Sequence, residues 1–500
     1  PLPNPKRGQS APATPPPAAA APPAGKTPPP AAAAPAAKPA PGDAAAVAPP
    51  APAAKPTDPP PPPRPPTPDE LYMARLDAAI EPLRSLQVPD DVAQKLRAAV
   101  KSLQAGDPGP ARALRGQLTD PVTRKLVEWL VLRAGFGDPA EFRAFLDANP
   151  AWPDRTTLLQ RAEEQLFQSG GEAQRIKAFF GKAEPRTGAG WAALASAHLA
   201  EGNEEKAKAA AVKAWRHHDL PSTFETGFLE RFGKYLSGAD HRWRLDRILI
   251  DDVRWSADRQ DRSAPARRLI ALLPEADRPR AEARLAIYLK ASLGGQLLAA
   301  LPADPEGQTD WSLAYQRVQL LRRSGQHEAA AKILLSLPAD PELLVSPDDW
   351  FAERRLAAYE ALRASDAKRA YELAKPIGGL TVNPFKDATF LAGYIALVFL
   401  KDAKVAVGHL EASLKAADGP LTQARAAYWL SRALKAVGDA AGARKALEAA
   451  ARSGDTFYGL LALQELGTTA FPFSRYPAEA TPDEIARFVG LDAVQAVIVA

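Results

Sequence analysis

The 500-residue sequence contains no cysteine, which removes disulfides, thiolate-bound zinc and a cysteine nucleophile together. Methionine is nearly missing as well: the single one is Met73, and the chain opens on Pro1. The chain is therefore expected to have lost its natural start, and with it any export signal. Long apolar runs are lacking. The longest, FLAGYIALVFL at 390–400, falls well short of the roughly 20 residues that cross a bilayer, so no transmembrane segment is expected. Alternating strand patterns are almost absent, and neither a Gly-rich phosphate loop nor a Ser-His-Asp arrangement has support. No cofactor is called for.

Proline is present in excess, 51 residues in all, and the excess is local: residues 1–66 hold 26 of them, with runs of Ala, one Leu and no aromatic side chain. Such a stretch cannot bury enough apolar surface to offset the entropy of ordering it. It is expected to be a disordered, partly polyproline-II tether with a reach of at most roughly 200 Å. Its six basic and two acidic residues supply +4 of the net charge of +5. The body is thus close to neutral, and the high isoelectric point does not imply a nucleic-acid groove, which needs Lys and Arg gathered on one face.

Residues 67–467 read as helix throughout. Thr67, Pro68, Asp69 and Glu70 form a capping-box pattern, and the same TPDE recurs at 481–484. Between them a turn is repeatedly followed by Ala and then by apolar or small residues at +3, +4 and +7, one face of a helix. Ala330, Ile333, Leu334 and Leu337 are one copy; Ala370, Leu373, Ala374 and Ile377 another; Ala406, His409, Leu410 and Ser413 a more polar one; Ala443, Ala446, Leu447 and Ala450 the last. Ala207, Ala210, Ala211 and Ala214 make an earlier copy. From Ala330 onward the copies are 40, 36 and 37 residues apart, the length of a helical hairpin. A hairpin cannot shelter its apolar stripe alone, so neighbours must stack, and a constant small rotation bends the stack into a superhelix. The fold class is all-α, a superhelix of stacked helical hairpins behind a disordered segment. Residues 468–500 read as a connecting segment. Its last stretch, LDAVQAVIVA, begins a fresh helix with neither a C-cap nor a packing partner, as if cut ahead of another domain.

Five stretches carry a resemblance. ARAAYWLSRALKAVGDAAGARKALEAAARSGDTFYGLLALQELG at 424–467 and PDDWFAERRLAAYEAL at 347–362 resemble the soluble lytic transglycosylases that cleave bacterial peptidoglycan, with FLAGYIAL at 390–397 and NPAWP at 149–153 also similar. The last of the five is TFYG at 456–459, inside the first, and together they cover roughly residues 120–467 in family order. The resemblance implies a horseshoe or ring of helices, a lysozyme-like catalytic domain following it, periplasmic location, and glycan strands as ligand. It also implies breakage of the bond between muramic acid and glucosamine by one Glu, with a 1,6-anhydro product. The family's catalytic Glu precedes Ser; the chain has no Glu-Ser pair, so no catalytic residue carries over.

Tyr428, Trp429, Arg432, Phe457 and Tyr458 are the candidates for touching substrate or the chain's own catalytic domain. For Phe457 and Tyr458 the plainer reading is a plug between hairpins, with Gly459 permitting close approach. His217, His218 and Asp219 look like a metal fragment but lack a further ligand at helical spacing, so a solvated helix end is expected. His409 reads as a satisfied interior histidine, Trp350 and Trp429 as core, and Glu353, Arg354 and Arg355 as partners in ion pairs. A non-catalytic, tetratricopeptide-like scaffold for protein partners explains the hairpins equally well. It leaves the order of the five stretches unexplained.

Overall fold

A computed structural model describes residues 64–217, 220–251, 256–304, 309–468 and 480–500. The Pro/Ala stretch up to residue 63, and His218 and Asp219, lie outside these residues. The chain divides into two contact units, Pro1–Ser85 and Leu86–Ala500. Among the described residues there is helix and turn but no strand.

The first unit contains α1 (Pro68–Arg84), entered through the expected capping box: the Thr67 side chain accepts from the Glu70 amide, and Glu70 accepts from Thr67. The second unit begins with α2 (Asp90–Gln104), α3 (Gly109–Gln117), α4 (Pro121–Arg133), α5 (Pro139–Ala148), α6 (Arg155–Ser169), α7 (Ala173–Phe180), α8 (Gly188–Ala200) and α9 (Glu204–Arg216). Its middle holds α10 (Glu225–Phe232), α11 (Gly238–Leu249), α12 (Ser256–Asp261), α13 (Ser263–Leu272), α14 (Arg278–Tyr288) and α15 (Gly294–Ala299). The most regular stretch follows: α16 (Trp311–Arg323), α17 (His327–Leu335), α18 (Pro347–Arg363), α19 (Ala367–Ala374), α20 (Val382–Val398), α21 (Ala403–Ala416), α22 (Pro420–Ala436), α23 (Ala440–Ala451) and α24 (Phe457–Glu465). The short α25 (Pro482–Val489) and α26 (Asp492–Val499) close the described chain.

Consecutive helices pack as hairpins, and the first helix of each also touches the first helix of the next. The Ala-led stripes are the buried faces: Ala330, Ala370 and Ala406 are sealed together with Leu334, Leu373 and Leu410. Small residues set the spacing. A Cβ on Gly393 would stand 2.8 Å from the Leu410 side chain, so glycine in FLAGYIAL lets α21 settle against α20. Three of the hairpin turns share one device, in which a left-handed residue is followed by an Asp whose side chain accepts an amide of the next helix. Ser365 then Asp366, Lys401 then Asp402, and Gly438 then Asp439 all do this.

The C-terminal helix corrects the expectation of a helix without a partner. α26 lies on α4: Ala496 is buried in the cluster of Val122 and Leu126, Ala493 and Val499 pack beside it, and Lys125 pairs with Asp492. Residues three apart make a single apolar stripe on α26, and its partner lies 367 residues earlier in the chain. No local pattern can reveal such a contact.

Three histidines in this unit are held below the ordinary value by burial: His198, His241 and His409. A histidine kept neutral by the fold gives stability that is full above about pH 6.5, its unfolded value, and is lost as the unfolded chain takes up protons below it. Asp240 adds to this at lower pH: burial pushes it up, but hydrogen bonds from Ser237 and Arg216 outweigh that and hold it below the usual carboxylate value. The thermal midpoint should therefore be highest near neutrality and fall once the pH drops below about 6.5. A scan that stays flat from neutrality down to the carboxylate range would contradict this.

Candidate functional site

The outward side of α18, α20, α22 and α24 is not an ordinary solvated helix face. Positions three and four apart place Arg355 and Tyr359 on α18, Asp387, Phe390 and Tyr394 on α20, and Arg425, Trp429 and Arg432 on α22. Their neighbours Ala358, Ala388, Leu391, Ala392 and Ala426 point into the core. The outward side chains touch across the helices. Asp387 accepts from Arg355 at 3.5 Å and from Arg425 at 3.0 Å, and the Arg425 guanidinium lies 4.2 Å from the Phe390 ring centre. Phe390 stacks on Tyr394 at 6.3 Å, and Tyr394 meets Trp429 edge to face at 4.7 Å.

The five candidate residues lie at the C-terminal end of this face and are brought together. The Tyr428 hydroxyl donates to Glu465 at 2.7 Å and accepts from Arg432 at 3.2 Å, while Arg432 also pairs with Glu465 at 3.2 Å. Burial first, and the Glu465 carboxylate beside it, push the Tyr428 phenol above its ordinary value; it stays a proton donor. Arg432 stands about equally far from the Tyr428 and Trp429 rings, 5.8 and 5.9 Å. Tyr458 leans on Tyr428 with ring centres 5.5 Å apart, and Phe457 meets Tyr458 edge to face at 5.1 Å.

The TFYG stretch has a local cause. Thr456 caps α24, its hydroxyl accepting the Gly459 amide at 3.1 Å and donating to the Ser453 carbonyl at 2.8 Å. A Cβ on Gly459 would fall 1.9 Å from that same carbonyl oxygen. The close approach is to the chain's own turn, not to a second helix. Tyr458 fills the hairpin junction with Tyr428, Ala427, Ala450 and Ala462, whereas Phe457 is 68% exposed and plugs nothing. Phe457→Ala should leave stability within about 0.5 kcal/mol of the parent. Tyr458→Ala should cost roughly 2 kcal/mol, about half the loss from full aromatic burial. Denaturant midpoints of the two variants measure this, and equal losses would contradict it.

The remaining candidates separate cleanly. Trp350 is fully buried, and Trp152 of NPAWP is buried against Phe145. Trp429 is only half-buried; its indole N–H is covered and has no partner among the described residues. His409 shares a 3.0 Å hydrogen bond with Tyr371. Glu353 pairs with Arg322 at 2.7 Å, and Arg355 with Asp387. Arg354 departs from the expected ion pair: it is buried and gives its donors to the carbonyls of Leu334, Glu372 and Leu373, the C-terminal ends of α17 and α19. Among the described residues no group of His, Asp and Glu could hold a metal ion.

Other residues were missed in the sequence. Tyr359, Asp387, Phe390, Tyr394 and Arg425 escape motif reading, although their spacing of three and four on successive first helices was there to find. So do the buried ionic groups of the middle helices, where Glu225 takes Arg244 and Arg268, and Asp246 takes Arg284 and Ser312. Those partners are 19 to 66 residues apart, beyond any local pattern.

Among solved structures the chain is similar to the crystal structure of the 70 kDa soluble lytic transglycosylase from Escherichia coli, with 15% identity and a TM-score of 0.40 over 82% of this chain and 63% of that one. The chain thus spans less than two thirds of that protein's length. No protein-family model and no curated protein matches it.

Proposed function

We propose that the chain is the glycan-holding helical portion of a periplasmic peptidoglycan lytic transglycosylase. The bond-breaking lysozyme-like domain of the parent protein lies outside these 500 residues. Residues 1–66 serve as a spacer and 468–500 as the lead into that domain. The parent enzyme cleaves between muramic acid and glucosamine without water, yielding 1,6-anhydro ends.

One observation carries this reading: the stretches that resemble the family are keys of the fold rather than chance repeat residues. Trp152 locks the α4–α6 region, Trp350 and Arg354 lock α17 to α19, and Gly393 sets α20 against α21. Tyr428, Arg432 and Glu465 tie α22 to α24, and Thr456 with Gly459 make the turn that starts α24. Stretches that fix the geometry of successive junctions, in family order, argue for a shared architecture. Aromatic rings beside guanidinium and carboxylate groups then provide what a hydroxyl-rich polymer needs: flat apolar surface for sugar C–H faces, and donors and acceptors around it.

The test is co-sedimentation of the 500-residue chain with purified peptidoglycan sacculi, followed by analysis of the supernatant. The expected result is retention on the sacculi with no release of anhydro-muropeptides. A chain that stays in solution would overturn the glycan-holding role, and turnover would mean that a catalytic site lies within these residues.

A further inference from the structure

We infer that a cavity walled by residues of α9, α10, α11 and α13 and the turns beside them is a binding site for a small oxyanion, either a phosphate group or a pair of carboxylates. The site lies apart from the aromatic face and does not depend on the glycan reading.

The cavity has a volume of about 370 Å³, within the range of small-molecule sites. Arg216, Arg244, Arg247 and Arg262 line it, against Glu225 and Asp251. Following each charge to its partner leaves the same imbalance. Arg216 pairs with Asp240 at 2.7 Å, Arg262 pairs with Asp251, and Glu225 is shared between Arg244 at 3.0 Å and Arg268 at 3.1 Å. With Arg247, five guanidinium groups thus meet three carboxylates among the described residues, leaving two positive charges in excess.

Arg247 is the least committed of these groups. It is half-buried and has no carboxylate partner among the described residues; its Nη1 donates to the Val345 carbonyl at 3.2 Å. Arg244 is the opposite case, because its donors are spent on Glu225 and on the carbonyls of Trp215, His217 and Leu220. It covers the carbonyls at the C-terminal end of α9, which would otherwise repel an anion, and contributes field rather than contacts. Arg247 then supplies donors to the ligand. Leu220 and Ile248 add apolar wall. Charge of one sign over low-dielectric walls concentrates counter-ions, and the guanidinium fork matches carboxylate and phosphate oxygens in shape. The excess charge is gathered in one cavity instead of along a groove, which fits a small ligand rather than a nucleic-acid strand.

Calorimetric titration of the full chain with inorganic phosphate and with glutarate, each against sodium chloride at the same ionic strength, tests the site. At least one of the two should bind at a single site and raise the thermal midpoint beyond the chloride control. Tighter binding of phosphate assigns a phosphate group, and tighter binding of glutarate assigns paired carboxylates. Arg247→Met should weaken binding roughly tenfold or more, the loss of one charge-assisted contact. Ser222→Asp places a negative charge at an exposed position of the cavity wall and should weaken it as well. Arg267→Met removes an arginine of α13 that pairs with Glu282 and does not line the cavity, and should bind like the parent. No binding beyond the chloride control, unchanged affinity in either folded cavity variant, or equal weakening by Arg267→Met would overturn the inference. Should Arg247→Met fail to fold, as circular dichroism would reveal, Ser222→Asp decides alone.

Discussion

Gly459→Ala should be the most damaging single-methyl change in the C-terminal hairpins. The added Cβ would sit 1.9 Å from the Ser453 carbonyl oxygen and 2.5 Å from its carbon. Both atoms are backbone, so no rotamer change relieves the clash, and the start of α24 has to move. Movement there breaks the Thr456 cap, lifts Tyr458 from Tyr428 and pulls Glu465 away from Tyr428 and Arg432. A loss of about 3 kcal/mol or more is expected, at the upper end for overpacked sites. Gly393→Ala is the milder comparison, because its Cβ would meet side-chain rather than backbone atoms, Leu410 Cγ at 2.8 Å and His409 Cβ at 3.2 Å; α20 and α21 must still shift slightly, and the cost should be about 1–2 kcal/mol. Denaturant unfolding followed by tyrosine and tryptophan fluorescence compares the two. Equal, small losses would mean that the tight turn at 453–459 does not exist as described.

Arg354→Met should come next. The guanidinium is buried and serves three carbonyls at two helix ends: Leu334 of α17, and Glu372 and Leu373 of α19. Burial pushes its pKa down to about 10, still well above neutrality, so it remains a cation with all its donors. Met fills similar space but satisfies none of the carbonyls, and each buried acceptor left unpaired costs about 1–3 kcal/mol. A total of about 4 kcal/mol is expected, read as a lower denaturant midpoint. Arg354→Lys keeps the charge but not the planar fork, and should recover only part of the loss. Full recovery by Lys would show that charge rather than fork geometry matters.

These two residues also mark where sequence reading succeeds and where it stops. The helical hairpins were legible because burial imposes a 3.6-residue period, and the Ala at the head of each stripe reports a close helix contact directly. The capping boxes at 67–70 and 481–484 were legible because both partners lie three residues apart. Arg354 was misjudged because the neighbouring Glu353 and Arg355 suggest an ion-pair role, whereas its true partners are backbone carbonyls about twenty residues away on either side. α26 was misjudged because its partner α4 lies near the other end of the unit. For the candidate face, the aromatic and arginine residues on α22 and α24 stood out in one conspicuous stretch. The equivalent residues on α18 and α20 are ordinary singly, and gain meaning only once the helices stand side by side.

The most direct measurement of the central claim is hydrogen–deuterium exchange of the chain with and without soluble, peptide-free glycan strands. Binding along the face predicts slowed exchange in α18, α20, α22 and α24, strongest at their outward turns, with α2 to α9 unchanged. Protection confined to other helices, or none at saturating glycan, would contradict it.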